Sequence, residues 1–354
     1  MTTAREHELP AVAAPRVGVP WTLVALAVLL GAVLVGLVVG PVPISAGDIA
    51  RSALSRLPFL DVSSPLDAAQ SAIVWELRFP RVVLGGLVGG MLALAGASYQ
   101  GVFRNPLADP YLLGVAAGAG LGATLVIVNG TSGDGADLLL PLASFAGGVA
   151  AVVAAYLIGR SVGGGRTTAT LILAGVTVAA FFTAVQTFVQ QRRTDTLNEV
   201  YTWLLGGLTT AGWRDVVTIL PYVVVSATVL LLHRRTLDVM AVGDEEARSL
   251  GIDVTRVRLL IVAAATLGTA AAVAVSGLIA FVGIVVPHLV RLVVSSSYRV
   301  IMPLSLIVGA AFLVLADVIA RTILSPAELP IGVVTAFIGA PFFALVLRTT
   351  RSGA

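Results

Sequence analysis

The chain has no cysteine and no lysine; all 22 basic side chains among its 354 residues are arginine. Without cysteine, neither a disulfide framework nor a thiolate metal site is available. Without lysine, a nucleotide-binding P-loop lacks the group that reaches the phosphates. Gly163-Gly164-Gly165-Arg166-Thr167-Thr168 imitates that loop superficially and reads as a flexible connector. Any ATP-driven work must therefore draw its ATPase from another chain. His7, His233 and His288 are too scattered for a metal motif, so no metal and no cofactor is expected.

Charge is scarce too. Only 12% of residues are charged and 57% are hydrophobic. Such a composition excludes a soluble globular domain and predicts a polytopic membrane protein. The apolar runs do not alternate, so the expected class is all-α rather than a barrel. A polar, proline-dotted tail over 1–20 precedes a first span at Trp21–Gly40. Further runs lie near 82–103, 111–129, 138–159, 168–189, 214–232, 259–275, 277–294, 301–320 and 329–347. That makes about ten spans within a single domain over 21–354. The nearly continuous pair 259–275 and 277–294 is divided at Ser276-Gly277.

Ten spans place both termini on one side. Fourteen arginines then fall on that side and eight on the other, the sign expected for a cytoplasmic face. The same rule explains the sequence pI of about 9.7 without nucleic acid. Arg51, Arg56, Arg192 and Arg193 sit on the outer side against the trend.

Residues 233–258 read HRRTLDVMAVGDEEARSLGIDVTRVR and carry ten charges between two apolar runs. Such a segment cannot lie in hydrocarbon. Within it, Asp244 is placed as a helix N-cap, with Glu245 and Glu246 in the first turn. Gly251 is placed to stop that helix. A short charged helix projecting from a membrane protein suggests a docking surface for a soluble partner.

Small residues recur at four-residue spacing: Gly85 and Gly89, Gly86 and Gly90, then Gly114, Gly118 and Gly122. They serve close helix packing or expose backbone along a substrate path. Arg78–Ala119 is the densest motif block, with a proline-bracketed turn at Asn105-Pro106-Leu107-Ala108-Asp109-Pro110. GLIAFVGIVVPHLVR follows at Gly277–Arg291, and LADVIARTILSPAELPIGVVTAFIGAP at Leu315–Pro341.

Together these blocks resemble the FecCD-type permease family of bacterial ABC importers for ferric siderophores, haem and vitamin B12, from about residue 40 to the carboxyl end. The resemblance implies the type II importer permease fold with ten transmembrane helices. It implies a second permease subunit, identical or a close paralogue, and two cytoplasmic ATP-binding subunits. An extracytoplasmic substrate-binding lipoprotein or periplasmic protein would deliver the chelate. The location implied is the bacterial cytoplasmic membrane, in contact with the lipid bilayer. The cargo expected is a bulky iron chelate, foremost a ferric siderophore, with haem or cobalamin as the alternative.

The resemblance also assigns residues. GDEEARSLG matches the family's coupling region, giving Asp244, Glu245, Glu246, Arg248, Leu250 and Gly251 as the ATPase contact. Outward arginines of the family pair with acids on the binding protein, which points to Arg51, Arg56 and Arg321; the alternative is interfacial snorkelling. Asn105, Leu107 and Thr168 match positions near the cytoplasmic gate of the family's vitamin B12 member, or are turn and cap residues. His288 is expected to be a buried, hydrogen-bonded histidine rather than a haem ligand.

A proton-coupled secondary transporter needs intramembrane carboxylates. Asp317 is the main candidate, and an i,i+4 pair with Arg321 accounts for it. An enzyme embedded in the membrane would need a clustered nucleophile, base or metal set, which the chain lacks.

Overall fold

The computed structural model describes residues 18–59, 61–130, 136–161 and 168–351. The expected tail therefore lies outside the described residues up to position 17, as does most of the glycine-rich connector, at 162–167.

All fifteen α-helices among the described residues run in sequence with no strand between them. The long apolar ones are α1 (Val19–Val38), α4 (Phe79–Phe103), α6 (Ala136–Ser161), α7 (Thr168–Gln191), α9 (Trp213–Leu232), α12 (Val254–Ser276) and α14 (Tyr298–Thr322). These seven are long and apolar enough to cross a membrane. Three further apolar helices, α5 (Val115–Val128), α13 (Val282–Val293) and α15 (Ile331–Arg351), fill the remaining expected runs. All ten runs are thus helical, but α5 and α13 start four or five residues late. Residues 110–114 and 277–281 are irregular there.

Irregular backbone inside a membrane protein must find internal partners. The Tyr111 hydroxyl supplies them: it donates to the Ile279 carbonyl at 3.1 Å and accepts from the Ile279 N–H at 3.2 Å. The division at Ser276-Gly277 is real, because Gly277 takes a φ of +65° that ends α12.

α4 is the hub, buried almost throughout. Gly89 and Gly90 lie against the α14 backbone at Gly309 and Leu306, and Gly96 against Gly283 of α13. Gly118 and Gly122 of α5 lie against Gly147 and Ala143 of α6. A methyl at most of these positions would meet backbone, so the spacing serves helix packing here. Gly114 departs from the pattern, since it precedes α5 instead of packing within it.

Four short helices lie outside the spans, α2 (Ala46–Leu54), α8 (Leu197–Leu204), α10 (Arg234–Val242) and α11 (Asp244–Ser249), while α3 (Ala68–Ala72) runs through a π turn at Ile73–Arg78 directly into α4. Only α11 was anticipated by the sequence pattern.

Candidate functional site

The charged segment 233–258 folds as a pair of helices. α10 is amphipathic and buries Leu237 and Met240. α11 follows after Gly243, and its one buried residue, Ala247, packs with Met240 and Val254. Gly251 stops the turn with a φ of +80°, as expected. Asp244 is not the N-cap; it is the first helical residue, and Gly243 holds the cap position without a side-chain bond. A methyl on Gly243 would collide with the Glu246 carboxylate, which folds back over the helix start.

Asp244 has another partner set. Its carboxylate accepts from Arg104 at 2.7 Å and from Arg258 at 3.0 Å. Arg104 ends α4 and Arg258 lies in the first turns of α12. The outer face of α11 is left free: Glu245, Glu246, Arg248 and Leu250 are exposed, Leu250 at 71%. A rigid internal joint therefore carries an exposed, mixed-charge face.

The segment between α4 and α5 lies at the same end. The Asn105 side chain accepts from the Leu107 N–H at 2.9 Å, an Asx turn that leaves Leu107 41% exposed. Asp109 makes the same bond to Tyr111 at 2.7 Å. Desolvation pushes the Asp109 carboxyl up to about 6, partly offset by that bond. Thr168 is the first residue of α7, and its side chain lies outside the described residues.

α4 spans about 37 Å, so its start marks the opposite end. Arg51, on α2, and Arg56 are exposed there, and the Arg56 guanidinium lies 4.4 Å over the Trp75 ring. Arg321 overturns the expectation of an outward docking residue. It is 4% exposed and donates to the Gly36 carbonyl. Arg78 does likewise to the carbonyls of Leu37, Val38 and Val42. The carbonyls that end a helix lack intrahelical donors, and the helix dipole favours cations there. Both arginines therefore cap α1.

Asp317 has a stronger partner than Arg321. Arg81 binds it through Nε and Nη2, the latter at 2.7 Å, while Arg321 stands 3.7 Å away. Arg81 also reaches Glu328 at 2.8 Å, on the rim of a cavity of about 820 Å³. The cavity opens at this end between Trp203–Gly212, Ala274–Gly277 and Glu328–Ile331.

His288 was expected to be hydrogen-bonded; both of its ring nitrogens are buried without a partner. Among the described residues no three His, Cys, Asp or Glu side chains are grouped to hold a metal ion.

A ten-helix bundle with an anchored charged outrigger at one end and a cavity at the other is the frame of a transport permease. The model of the FecCD transport family matches residues 27–349. The chain belongs to the FecCD transport family. The uncharacterized ABC transporter permease protein YvrB of Bacillus subtilis is 42% identical, covering 81% of this chain and 82% of that one. The cobalamin import system permease protein BtuC of Halobacterium salinarum is 39% identical, covering 93% and 96%. A solved ABC transporter of metal-chelate type, in an inward-facing conformation, superposes with a TM-score of 0.81 at 28% identity. That match covers 92% of this chain and 98% of the other. Other relatives are named for Fe(3+) dicitrate and hemin transport. As a FecCD permease the chain is a transport component rather than an enzyme, with the type II importer fold. Permeases of this kind work with an ATPase and a substrate-binding protein.

Proposed function

We propose that this permease carries a ferric siderophore across the bacterial cytoplasmic membrane. It does so as one of two permease subunits, identical or closely paralogous, above two ATP-binding subunits. The observation that carries the reading is the joint at Asp244. It couples an exposed helix to α4 and α12, two of the most buried spans. Glu245, Glu246, Arg248 and Leu250 on that helix meet the ATPase. Nucleotide-driven closure then reaches the bundle as a rigid-body shift. Arg51 and Arg56 receive an extracytoplasmic binding protein at the opposite end. Asn105, Leu107 and Thr168 belong to the cytoplasmic gate.

Uptake by the reconstituted complex tests the reading. Glu245→Arg with Glu246→Arg should abolish uptake while the chain stays folded in the membrane. Full uptake with the ATPase still bound would remove α11 as the docking helix. A second reading, cobalamin import, is favoured by the near full-length match to BtuC of Halobacterium salinarum. Titrating the cognate binding protein with a ferric hydroxamate, hemin and cobalamin separates them. Tight binding of cobalamin alone would overturn the siderophore assignment.

A further inference from the structure

We propose that a cavity beside α11 binds one anionic phospholipid, with its phosphate on an arginine rim and an acyl chain on an apolar floor. The cavity holds about 300 Å³, at the lower end of the range for small-molecule sites. Leu113, Val152, Leu171, Leu259 and Val262 make the floor. Arg160, Arg248 and Arg258 stand around it against a single acid, Asp244.

That acid does not neutralise the rim. Asp244 is already engaged by Arg104 and Arg258. Arg160 and Arg248 have no ion-pair partner among the described residues. Arg258 is the more telling group. Its Nη2 donates to Asp244 at 3.0 Å, yet its Nε is buried with no acceptor. A buried N–H left unpaired is costly, and an acceptor entering from the cavity would satisfy it.

Position selects the ligand. α6 ends at Ser161 and α12 begins at Val254, so the rim lies where two spans leave the membrane. Phospholipid head groups occupy that depth, and basic pockets between helices there bind anionic ones. Inorganic phosphate would use the arginines but leave the floor wet. A phosphate carrying an acyl chain uses both surfaces. Arg248 is shared with the proposed ATPase contact, but Arg160, Arg258 and the apolar floor need neither the ATPase nor any particular cargo.

The purified chain in detergent provides the test, read by native mass spectrometry with short-chain phosphatidylglycerol, short-chain phosphatidylcholine or inorganic phosphate. Phosphatidylglycerol should bind saturably at one copy per chain. Arg160→Gln, at an exposed helix end, should weaken it about five-fold. Leu259→Trp, filling the apolar floor from a half-exposed position, should abolish it. Arg192→Gln, at the far end of α7, should change nothing. Equal binding of the two lipids would overturn the proposal, as would phosphatidylglycerol binding that neither cavity variant alters. Displacement of phosphatidylglycerol by inorganic phosphate at similar concentration would make this a free-anion site and equally overturn it.

Discussion

Arg104 and Asp244 meet at 2.7 Å, joining the last turn of the most buried helix to the first residue of the projecting one. Arg258 approaches the same carboxylate from α12. The two arginines differ in exposure, 40% for Arg104 and 13% for Arg258. An exposed ion pair contributes about 0–1 kcal/mol, and a charged hydrogen bond shielded from water about 1.5–3. Asp244→Asn should therefore lower thermal stability more than Arg104→Gln. Under the proposed ATPase contact through Glu245 and Glu246, which this variant leaves in place, it should also raise the ATP hydrolysed per chelate imported. An unchanged coupling ratio in reconstituted Asp244→Asn vesicles would limit the joint to a structural role.

Arg81 and Asp317 form the second joint, across α4 and α14. Removing one partner of a buried pair strands the other charge, at about 3–5 kcal/mol. Arg81→Leu alone should be severely destabilising in a detergent melt. Arg81→Leu with Asp317→Leu should recover only part of that loss: an apolar pair of similar volume is often as stable, but buried Arg321 then loses its carboxylate. Glu328 is 29% exposed at its side chain and can return to water. A double variant no more stable than the single one would show that the pair sets a geometry apolar packing cannot replace.

How far these sites were legible in the sequence depends on reach. Apolar runs marked seven helices long enough to cross a membrane and three shorter apolar ones, since hydrocarbon forces backbone to bond within itself. Gly251 and the break at Gly277 were legible because a positive φ is a local property. Long-range partners were not. Arg81 lies 236 residues from Asp317, and Arg104 lies 140 from Asp244. Spacing alone paired Asp317 with Arg321, one turn away, and left Arg81 unassigned. The signal available was the cost of charge in a span, which requires a partner for an in-span acid such as Asp317. Arg321 misled for the opposite reason. Its place at a helix end suggests exposure, and only the packing of α1 buries it.

Asp109 gives a pH dependence. Burial raises its carboxyl from 3.8 to about 6. The folded chain thus holds that proton more tightly than the unfolded chain does. The stabilisation is fully present below about pH 4 and is lost as pH rises through about 6. Residues 105–113 should open more readily at pH 7.5 than at pH 5, by about 10-fold in the opening constant. Asp109→Asn keeps the acceptor for the Tyr111 N–H and should flatten this dependence. Hydrogen exchange across the segment reads both effects, and a wild-type profile flat between pH 5 and 7.5 would contradict the raised carboxyl.

Gly96 and Gly31 make a matched pair for testing the packing of the hub. Both are helical glycines within apolar spans. A methyl on Gly96 would collide with the Gly283 carbonyl, at the start of α13 and close to the Tyr111 clamp. A methyl on Gly31 meets nothing within 4 Å. Backbone cannot turn aside as a flexible side chain can, so Gly96→Ala should cost about 1–3 kcal/mol or more. Gly31→Ala should be neutral or slightly stabilising, because alanine is the better helix former by about 1 kcal/mol. Melting temperatures of the two variants in one detergent decide the matter. Equal temperatures would mean that α4 and α13 can separate without loss, which the closeness of Gly96 to Gly283 forbids.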